Sequence, residues 1–339
     1  MSDSVIRIQP LNFPWETRDP FIFCVHHRDE YPAGNDQMGP AVPLTGRNIG
    51  NDFVIKDGWR MYHGSTMPGF PYHPHRGFET ITINEEGVVD HTDSLGAAGR
   101  FGQGDVQWMT AGKGVLHSEM FPLLKQDEPN PFEIFQIWLN LPRRSKFAEP
   151  HFKMLWANSI PEVVQTDASG KKSTIRVIAG SFNDQQAPKP TPDSWASDAD
   201  NHVMVMTIKM EAGATVTLPG AVAGIQRTLY FYRGSGLQVD DTAIPFYHSA
   251  WLDPKADVLL TAGEVPCDVL ILQGKPIGEP VVQYGPFVMN SQQEIQEAFE
   301  DYRRTQFGGW PWPGAEYAHD RSMGRFAKHA DGTLEERPL

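Results

Sequence analysis

The stretch HPHRGFETITI, residues 73–83, places two histidines one residue apart, directly before a run in which isoleucine and threonine alternate. Successive side chains of a β-strand point to opposite faces, so this pattern predicts a strand in which both histidines share one face. Further short runs rich in Val, Ile, Thr, Phe and Tyr lie at 134–139, 174–178, 203–210, 229–232 and 269–272. Because glycine (31) and proline (28) are spread between such runs, the sequence predicts an all-β protein of sandwich or barrel type.

The composition limits the class of protein. With 339 residues, 40% of them hydrophobic, the chain is long enough for two domains with sizeable cores. A net charge of −13 argues against direct nucleic-acid binding, because phosphate binding needs clustered Lys and Arg. The N-terminus lacks a leader pattern and no apolar run reaches the roughly 18 residues of a spanning helix, so we expect neither a signal peptide nor a membrane segment. Since Cys24 and Cys267 are the only cysteines, we expect no disulfide framework and a cytoplasmic location.

The domain organisation follows from changes in composition. Polar, turn-rich sequence between 142 and 170 predicts a boundary, with a first domain at 1–150 and a second at 151–290. Within the second domain, residues 183–201 carry no periodicity and are predicted to form a long surface loop. The remaining residues, 291–339, are predicted to form a helix and a tail.

One helix is strongly predicted, in NSQQEIQEAFEDYRRTQFGG (290–309). Ser291 and Glu294 form a capping box, and Gly308 marks the end. The apolar stripe consists of Ile295, Phe299 and Tyr302. From Trp310 onward the chain is rich in proline, glycine and charge, which fits either a wrapping extension or a partly disordered tail.

A second polar pair completes a candidate metal site. GDVQWMTAGKGVLHSE (104–119) ends with His117 and Glu119, again on one face of a predicted strand. If the two strands face each other across a small barrel, these residues converge with His73 and His75. Three imidazoles and a carboxylate suit a divalent transition metal, whereas a closed structural zinc site would more often contain cysteine. A single HxH pair is more often structural than ligating, but two same-face pairs together favour metal binding.

These stretches carry a family resemblance. FPYHPHRGFETITI, HTDSLGAAGRFGQGDVQWMTAGKGVLHSEMFP and FQIWLNLP resemble the signature stretches of the pirin family, within the cupin superfamily. PVVQYGPFVMNSQQEIQEAFEDYRRTQFGGWPW resembles the bacterial members of that family. Close matches cover 70–142 and 280–313. The resemblance implies a bicupin, with two β-barrel domains of which one carries a mononuclear metal.

The resemblance also implies the ligands and the metal. The family's ligand pattern falls on His73, His75, His117 and Glu119. The family metal is usually iron, so we expect Fe(II), with Zn, Mn, Ni, Co or Cu as alternatives. Many other cupins use the acidic residue after HxH, so Glu79 remains a competing or supporting ligand. The second half shows no equivalent set, since His202 and His248 occur there singly, without an HxH or HxE pattern. We therefore expect a metal-free second cupin domain.

Other residues near the motifs keep open roles. His63 and His91 are expected to be solvated or hydrogen-bonded histidines, with support of the metal ligands as the alternative. Arg76 either places a positive charge near the site or pairs with an acid at the surface. An apolar pocket wall or the core would contain Phe70, Phe78, Trp108 and Met109.

Two classes of function follow from the resemblance. In the first, the protein is a quercetin 2,3-dioxygenase-like oxygenase that takes a small enolic aromatic substrate and O₂, with the metal as Lewis acid. Glu119 would then leave the metal briefly and act as a base for the flavonol proton. In the second, the protein is a non-catalytic, metal-dependent redox sensor that binds a regulatory protein partner. The fold is common to both, and the complete ligand motif favours the enzyme.

Overall fold

The structure is a computed structural model that describes residues 4–338, and these form 26 β-strands, one α-helix and five short 3₁₀-helices. The first strands are β1 (Val5–Pro10), β2 (Phe21–Tyr31), β3 (Gly69–His75), β4 (Phe78–Glu86), β5 (Val88–Asp93), β6 (Ala98–Gly102), β7 (Val106–Thr110), β8 (Val115–Met120) and β9 (Asn130–Asn140). The next are β10 (His151–Leu155), β11 (Glu162–Thr166), β12 (Lys172–Ala179), β13 (Ser181–Phe182), β14 (Gln185–Gln186), β15 (Met204–Met210), β16 (Thr215–Leu218), β17 (Gln226–Arg233) and β18 (Leu237–Val239). The last are β19 (Thr242–Ile244), β20 (His248–Leu252), β21 (Val258–Ala262), β22 (Cys267–Gly274), β23 (Val282–Tyr284), β24 (Phe287–Met289), β25 (Arg325–Lys328) and β26 (Leu334–Arg337). The all-β prediction is confirmed, and the predicted runs fall on β4, β9, β12, β15, β17 and β22.

One compact unit combines residues 4–25 with 158–278. Its larger sheet has the strand order β1-β20-β17-β22-β15-β12-β11, and its smaller sheet the order β16-β21-β18-β19. A single apolar core joins them, with Ile208 and Leu229 from the larger sheet packed among Val216 and Leu260 from the smaller. The two sheets pack face to face around this apolar core, and the two cysteines of this unit are free and buried.

The other compact unit combines residues 26–157 with 279–338. Its sheets have the orders β26-β25-β6-β5-β8-β3 and β10-β7-β4-β9-β2. Aromatic and aliphatic side chains from both sheets, such as Phe101 and Ile134, form its core. The candidate ligands all lie in this unit, on β3 and β8.

The two compact units do not coincide with the predicted segments 1–150, 151–290 and 291–339. Strand β1 joins the unit of the second half because it pairs antiparallel with β20. The C-terminal tail joins the unit of the first half because β25 pairs antiparallel with β6. Both pairings join strands that are distant in sequence, and sequence order does not reveal such partners.

The predicted helix is confirmed as α1 (Gln292–Thr305). The Ser291 side chain accepts a hydrogen bond from the Glu294 backbone N–H at 3.2 Å, which caps the first turn. The helix ends at Gln306, whose left-handed conformation (φ 50°) stops it two residues before the predicted glycine. No helix within residues 4–338 has both the length and the apolar character needed to cross a membrane.

The tail from Trp310 is a wrapping extension. The buried Arg100 guanidinium donates to the backbone carbonyls of His319, Asp320 and Met323 at 2.9–3.0 Å. The same guanidinium pairs with Asp90 at 2.7 and 2.8 Å, so its charge is compensated within the barrel. The tail is thus fastened to the unit that carries the candidate ligands.

The prediction of a surface loop at 183–201 is wrong in part. This stretch contains β14 and two 3₁₀-helices, Trp195–Ser197 and Ala199–Asn201. Trp195 is buried, and its indole N–H donates to the Lys275 carbonyl at 2.8 Å. Trp195 thus anchors the segment, and periodicity cannot reveal such an isolated anchor.

Candidate metal centre

The two histidine strands are neighbours at one edge of the six-stranded sheet. β3 is the edge strand, which is where a strand tolerates Pro71 and Pro74, because proline cannot donate a ladder hydrogen bond. The antiparallel register with β8 sets His73 directly opposite His117. His75 follows two residues further on the same face. The chain then reverses at Gly77, whose φ of 88° favours glycine.

His73, His75 and His117 form a compact group, called here the three-histidine group. Their ring centroids lie 4.5 Å (His73–His117), 4.7 Å (His73–His75) and 4.9 Å (His75–His117) apart. One nitrogen from each ring lies within 4.8 Å of the others. Within residues 4–338 this is the one such group of potential metal donors.

The hydrogen bonds of these rings leave nitrogens free for a metal. His73 Nδ1 lies 2.9 Å from the Pro71 carbonyl, and His75 Nδ1 lies 3.3 Å from the Pro286 carbonyl. Carbonyls accept only, so each Nδ1 carries the proton and each Nε2 keeps its lone pair. Nε2 of His75 and both ring nitrogens of His117 are buried without a partner. An unsatisfied buried polar atom costs about 1–3 kcal/mol, and a divalent metal would remove that cost, so the donor set fits one.

The pKa values of the three imidazoles also suit metal binding. Burial lowers the pKa of His73 to about 4, because the charged form is poorly solvated there. Burial, reinforced by the neighbouring imidazoles, brings the pKa of His75 and His117 well below the ordinary histidine value. The three rings are therefore neutral at pH 7, which is the form that binds a metal.

Glu119 lies on the same strand face as His117, and its carboxylate is held from the opposite sheet. Thr82 on β4 donates to Oε1 at 3.0 Å, and Gln136 on β9 donates to Oε2 at 2.6 Å. Burial raises the pKa of Glu119, while His91, Thr82 and Gln136 act in the opposite direction. Its oxygens lie outside the three-histidine group, and its role as a ligand stays a prediction.

Two supporting residues were missed by the sequence reasoning. Gln136 and Trp138 lie on one face of β9, and the Trp138 indole N–H donates to the Gln136 side-chain carbonyl at 3.2 Å. The Trp138 ring also contacts the rings of His75 and Phe78, at 5.4 and 4.2 Å between centroids. The sequence signal that could have revealed them is Gln136, a polar residue within the apolar run FQIWLNLP and two residues before Trp138.

The other histidines near the motifs differ from each other. His63 is exposed, and its Nδ1 hydrogen bonds to the Gly50 carbonyl at 2.7 Å, in agreement with the simpler expectation. His91 is fully buried, lies 5.5 Å from the His117 ring and stacks on Phe152 at 4.9 Å. Its place beside a candidate ligand agrees with the alternative of a supporting residue.

The remaining candidates lie apart from the three-histidine group. Glu79 accepts a hydrogen bond from Thr110 at 2.6 Å, and alternation places it on the face of β4 opposite Thr82. His202 and His248, in the other unit, do not belong to the group.

The predicted apolar neighbours divide between the two faces of the strands. Phe78 contacts the His75 ring at 5.0 Å, and Phe70 lies 6.3 Å from the His73 ring. On β7, Trp108 lies opposite Ile81 and Met109 lies opposite Thr80. Of these two side chains, Met109 therefore shares the inward face with Thr80, and Trp108 points to the other face.

Arg76 pairs with an acid. It donates to Asp301 at 3.0 Å and to the Lys113 carbonyl at 2.6 Å, and it is buried rather than at the surface. A paired, buried guanidinium directly after β3 holds in place the turn that follows the two histidines.

The fold and the site together define a two-domain cupin-type protein with a candidate metal centre in one domain. Residues 15–139 match the sequence profile of the Pirin family, and residues 205–308 match that of the Pirin C-terminal cupin domain. The chain is 39% identical over 240 residues to a Pseudomonas aeruginosa protein named "Putative quercetin 2,3-dioxygenase", covering 70% of this chain and 79% of that one. Pirin-1 of Arabidopsis thaliana is 36% identical over 248 residues, covering 72% of this chain and 80% of its own. The chain belongs to the pirin family.

A solved structure supports the same assignment. The crystal structure of a quercetin 2,3-dioxygenase from Acinetobacter baumannii is 28% identical and superposes with a TM-score of 0.69. It covers 90% of this chain and 98% of its own. The expected bicupin architecture is thereby confirmed.

Proposed function

We propose that this protein is a mononuclear-metal dioxygenase of the quercetin 2,3-dioxygenase type, which acts with O₂ on flavonols or related enolic aromatic compounds. The observation that carries the proposal is the three-histidine group, in which one nitrogen of each imidazole lies within 4.8 Å of the others. In addition, Nε2 of His75 and of His117 is buried without a hydrogen-bond partner. The names of the bacterial relatives support the substrate class.

The proposed ligands are His73, His75, His117 and Glu119, and the proposed metal is Fe(II). When bound, the metal would supply Lewis acidity toward an enol oxygen and exchange of an electron with O₂. The β3–β8 register fixes the imidazoles in position before any metal arrives. Such a preformed donor set reduces the ordering cost of metal binding.

The surrounding side chains suit an aromatic enol. His73 and Gln136 are only partly buried, which leaves this side of the barrel interior accessible to an incoming molecule. The buried rings of Phe78 and Trp138 pack beside His75 and make this side of the site apolar. Burial raises the pKa of Glu119, so its carboxylate is a stronger base for an enol proton than an exposed glutamate.

Oxygen uptake tests this proposal. Protein loaded with Fe(II) to a measured content is given quercetin, and uptake is recorded beside that of H117A and H248A. We expect uptake by the wild type and H248A, and loss in H117A because one imidazole of the group is missing. Parallel samples loaded with Zn, Mn, Ni, Co or Cu show which ion supports the reaction. Absence of uptake from fully metallated wild type with every ion would overturn the proposal and favour a metal-dependent, non-catalytic sensor.

A further inference from the structure

A chain of two hydrogen bonds leads to Glu119 from the opposite sheet. The Trp138 indole N–H donates to Gln136 Oε1 at 3.2 Å, and Gln136 Nε2 donates to Glu119 Oε2 at 2.6 Å. These two bonds account for both ends of the Gln136 amide. Gln136 and Trp138 lie on β9 and Glu119 on β8, so the chain crosses the barrel interior.

We propose that Gln136 is a positioning residue for the Glu119 carboxylate and that Trp138 sets the direction of the Gln136 amide. This inference rests on the proposed function for one point, the role of Glu119 as a metal ligand. The inference concerns how Gln136 and Trp138 hold the Glu119 carboxylate in the orientation needed to bind a metal together with the three-histidine group.

The physical argument begins with the amide. A glutamine side chain can present either its NH₂ or its carbonyl oxygen to a neighbour, since the two ends have nearly the same shape. Toward a carboxylate only the NH₂ end is attractive, because two oxygen acceptors repel each other. An indole N–H is a donor only, so it can form a hydrogen bond only with the carbonyl oxygen of the amide. Trp138 therefore selects the amide orientation in which Gln136 donates to Glu119.

The carboxylate retains capacity for a metal in this arrangement. Thr82 donates to Oε1 and Gln136 donates to Oε2, so each oxygen accepts one hydrogen bond. An ionised carboxylate has about four acceptor positions, and one position on each oxygen remains. Two donors on different oxygens also fix the rotation of the carboxylate plane, which a single donor would leave free.

The indole itself is held in place from its other side. Phe78 packs on the Trp138 ring at 4.2 Å between centroids, and His75 lies at 5.4 Å. The position of Trp138 is thus tied to a histidine of the group on one side and to the support of Glu119 on the other. Outer partners of this kind commonly change metal affinity about 10- to 100-fold when removed.

A double-mutant cycle tests the inference. Metal affinity of Q136L, W138F and the double variant is measured by chelator competition, and the visible absorption of the Co(II)-loaded proteins reports the donor set. We expect Q136L to weaken binding about 10- to 100-fold and W138F to weaken it less. In the double variant W138F should add nothing to Q136L, because the indole N–H that W138F removes acts only through the amide, while phenylalanine keeps an aromatic ring beside His75 and Phe78. Both single variants should change the Co(II) spectrum in the same sense.

Q107L is the matched control. Gln107 lies on the inward face directly opposite Thr82, and both ends of its amide are buried without a partner. The same Gln→Leu change there should leave metal affinity and the Co(II) spectrum unchanged. If Q136L does not fold, Q136M replaces it, since methionine keeps the chain length without the amide.

The outcomes separate this inference from the proposed function. Additive losses, or a Q136L effect no larger than that of Q107L, would overturn the positioning role. An unchanged Co(II) spectrum in Q136L would do the same. Coupled losses in a protein that shows no oxygen uptake would support the positioning role while the dioxygenase proposal fails.

Discussion

The two cupin-type units differ in the polarity of the side chains on the inward faces of comparable strands. In the unit with the candidate ligands, β4 points Thr80, Thr82 and Asn84 into the barrel, on the same side as Glu119. In the other unit, β17 places Leu229 and Phe231 in the apolar core. Both strands lie in the interior of their sheets, so position in the sheet does not explain the difference.

The difference indicates which buried polar side chains are not required for folding. Thr80 Oγ1 and both side-chain polar atoms of Asn84 and Gln107 are buried without hydrogen-bond partners. Each such atom costs folding free energy of about 1–3 kcal/mol, and a cupin barrel with apolar side chains at these positions avoids that cost. Folding of the barrel therefore does not require these buried polar side chains.

The largest expected effect is on bound metal, and it distinguishes a histidine of the three-histidine group from a histidine of the other unit. H117A should lose most of its bound metal, because one imidazole of the three-histidine group is removed. H248A should keep wild-type metal content, since His248 hydrogen bonds locally to the Phe246 carbonyl. Metal content by mass spectrometry after purification checks both variants. Full metal content in H117A would show that the ligand set is wrong.

The next effect compares the two carboxylates near the site. E119Q should weaken metal affinity more than tenfold, which corresponds to about 1.4 kcal/mol or more. E79Q should change it little, because Glu79 accepts from Thr110 on the other face of β4. Chelator competition with Fe(II) measures both. The reverse order of effects would make Glu79 the ligand.

An exchange of interior polarity tests the comparison directly. N84L should raise the free energy of unfolding of the metal-free protein by about 1–3 kcal/mol, because unpartnered polar atoms are removed. L229N in the other unit should lower it by about 3 kcal/mol, because it buries an amide in an apolar core. Urea denaturation measures both changes. A destabilised N84L would mean that ordered water already satisfies Asn84.

A separate prediction concerns pH and a buried lysine in the unit that carries the candidate ligands. Lys146 donates to the Gly77 and Val288 carbonyls and to Asn140 Oδ1, at 2.6–2.9 Å. Burial lowers the pKa of Lys146 from 10.5 to about 7, while Glu279 and Glu294 act in the opposite direction. The unfolded chain therefore binds more protons between these values, and stability rises with pH across that window.

The variant K146M should lose this pH dependence. The difference in unfolding free energy between wild type and K146M is expected to grow in favour of wild type from pH 7 to pH 10. Urea denaturation at both pH values, with all other titrating groups in common, isolates the contribution of Lys146. A difference that stays constant would show that Lys146 keeps the same charge in the folded and unfolded chain.

Local patterns of the sequence determined several features of this protein. The same-face pairs His73 and His75, and His117 and Glu119, follow from the two-residue period of a strand, and the helix cap at Ser291 follows from side-chain spacing. The all-β class follows in the same way, because periodicity and turn residues are properties of neighbouring positions.

The tertiary structure alone decided the features that depend on register between distant strands. The pairing of His73 with His117, and the chain of hydrogen bonds from Trp138 through Gln136 to Glu119, require particular alignments of β3 with β8 and of β9 with the opposite sheet. The association of the tail with the unit that carries the candidate ligands also depends on such an alignment, between β25 and β6. A shift of one residue in any of these registers would turn the side chains to the opposite face, and spacing along a single strand contains no information about its partner.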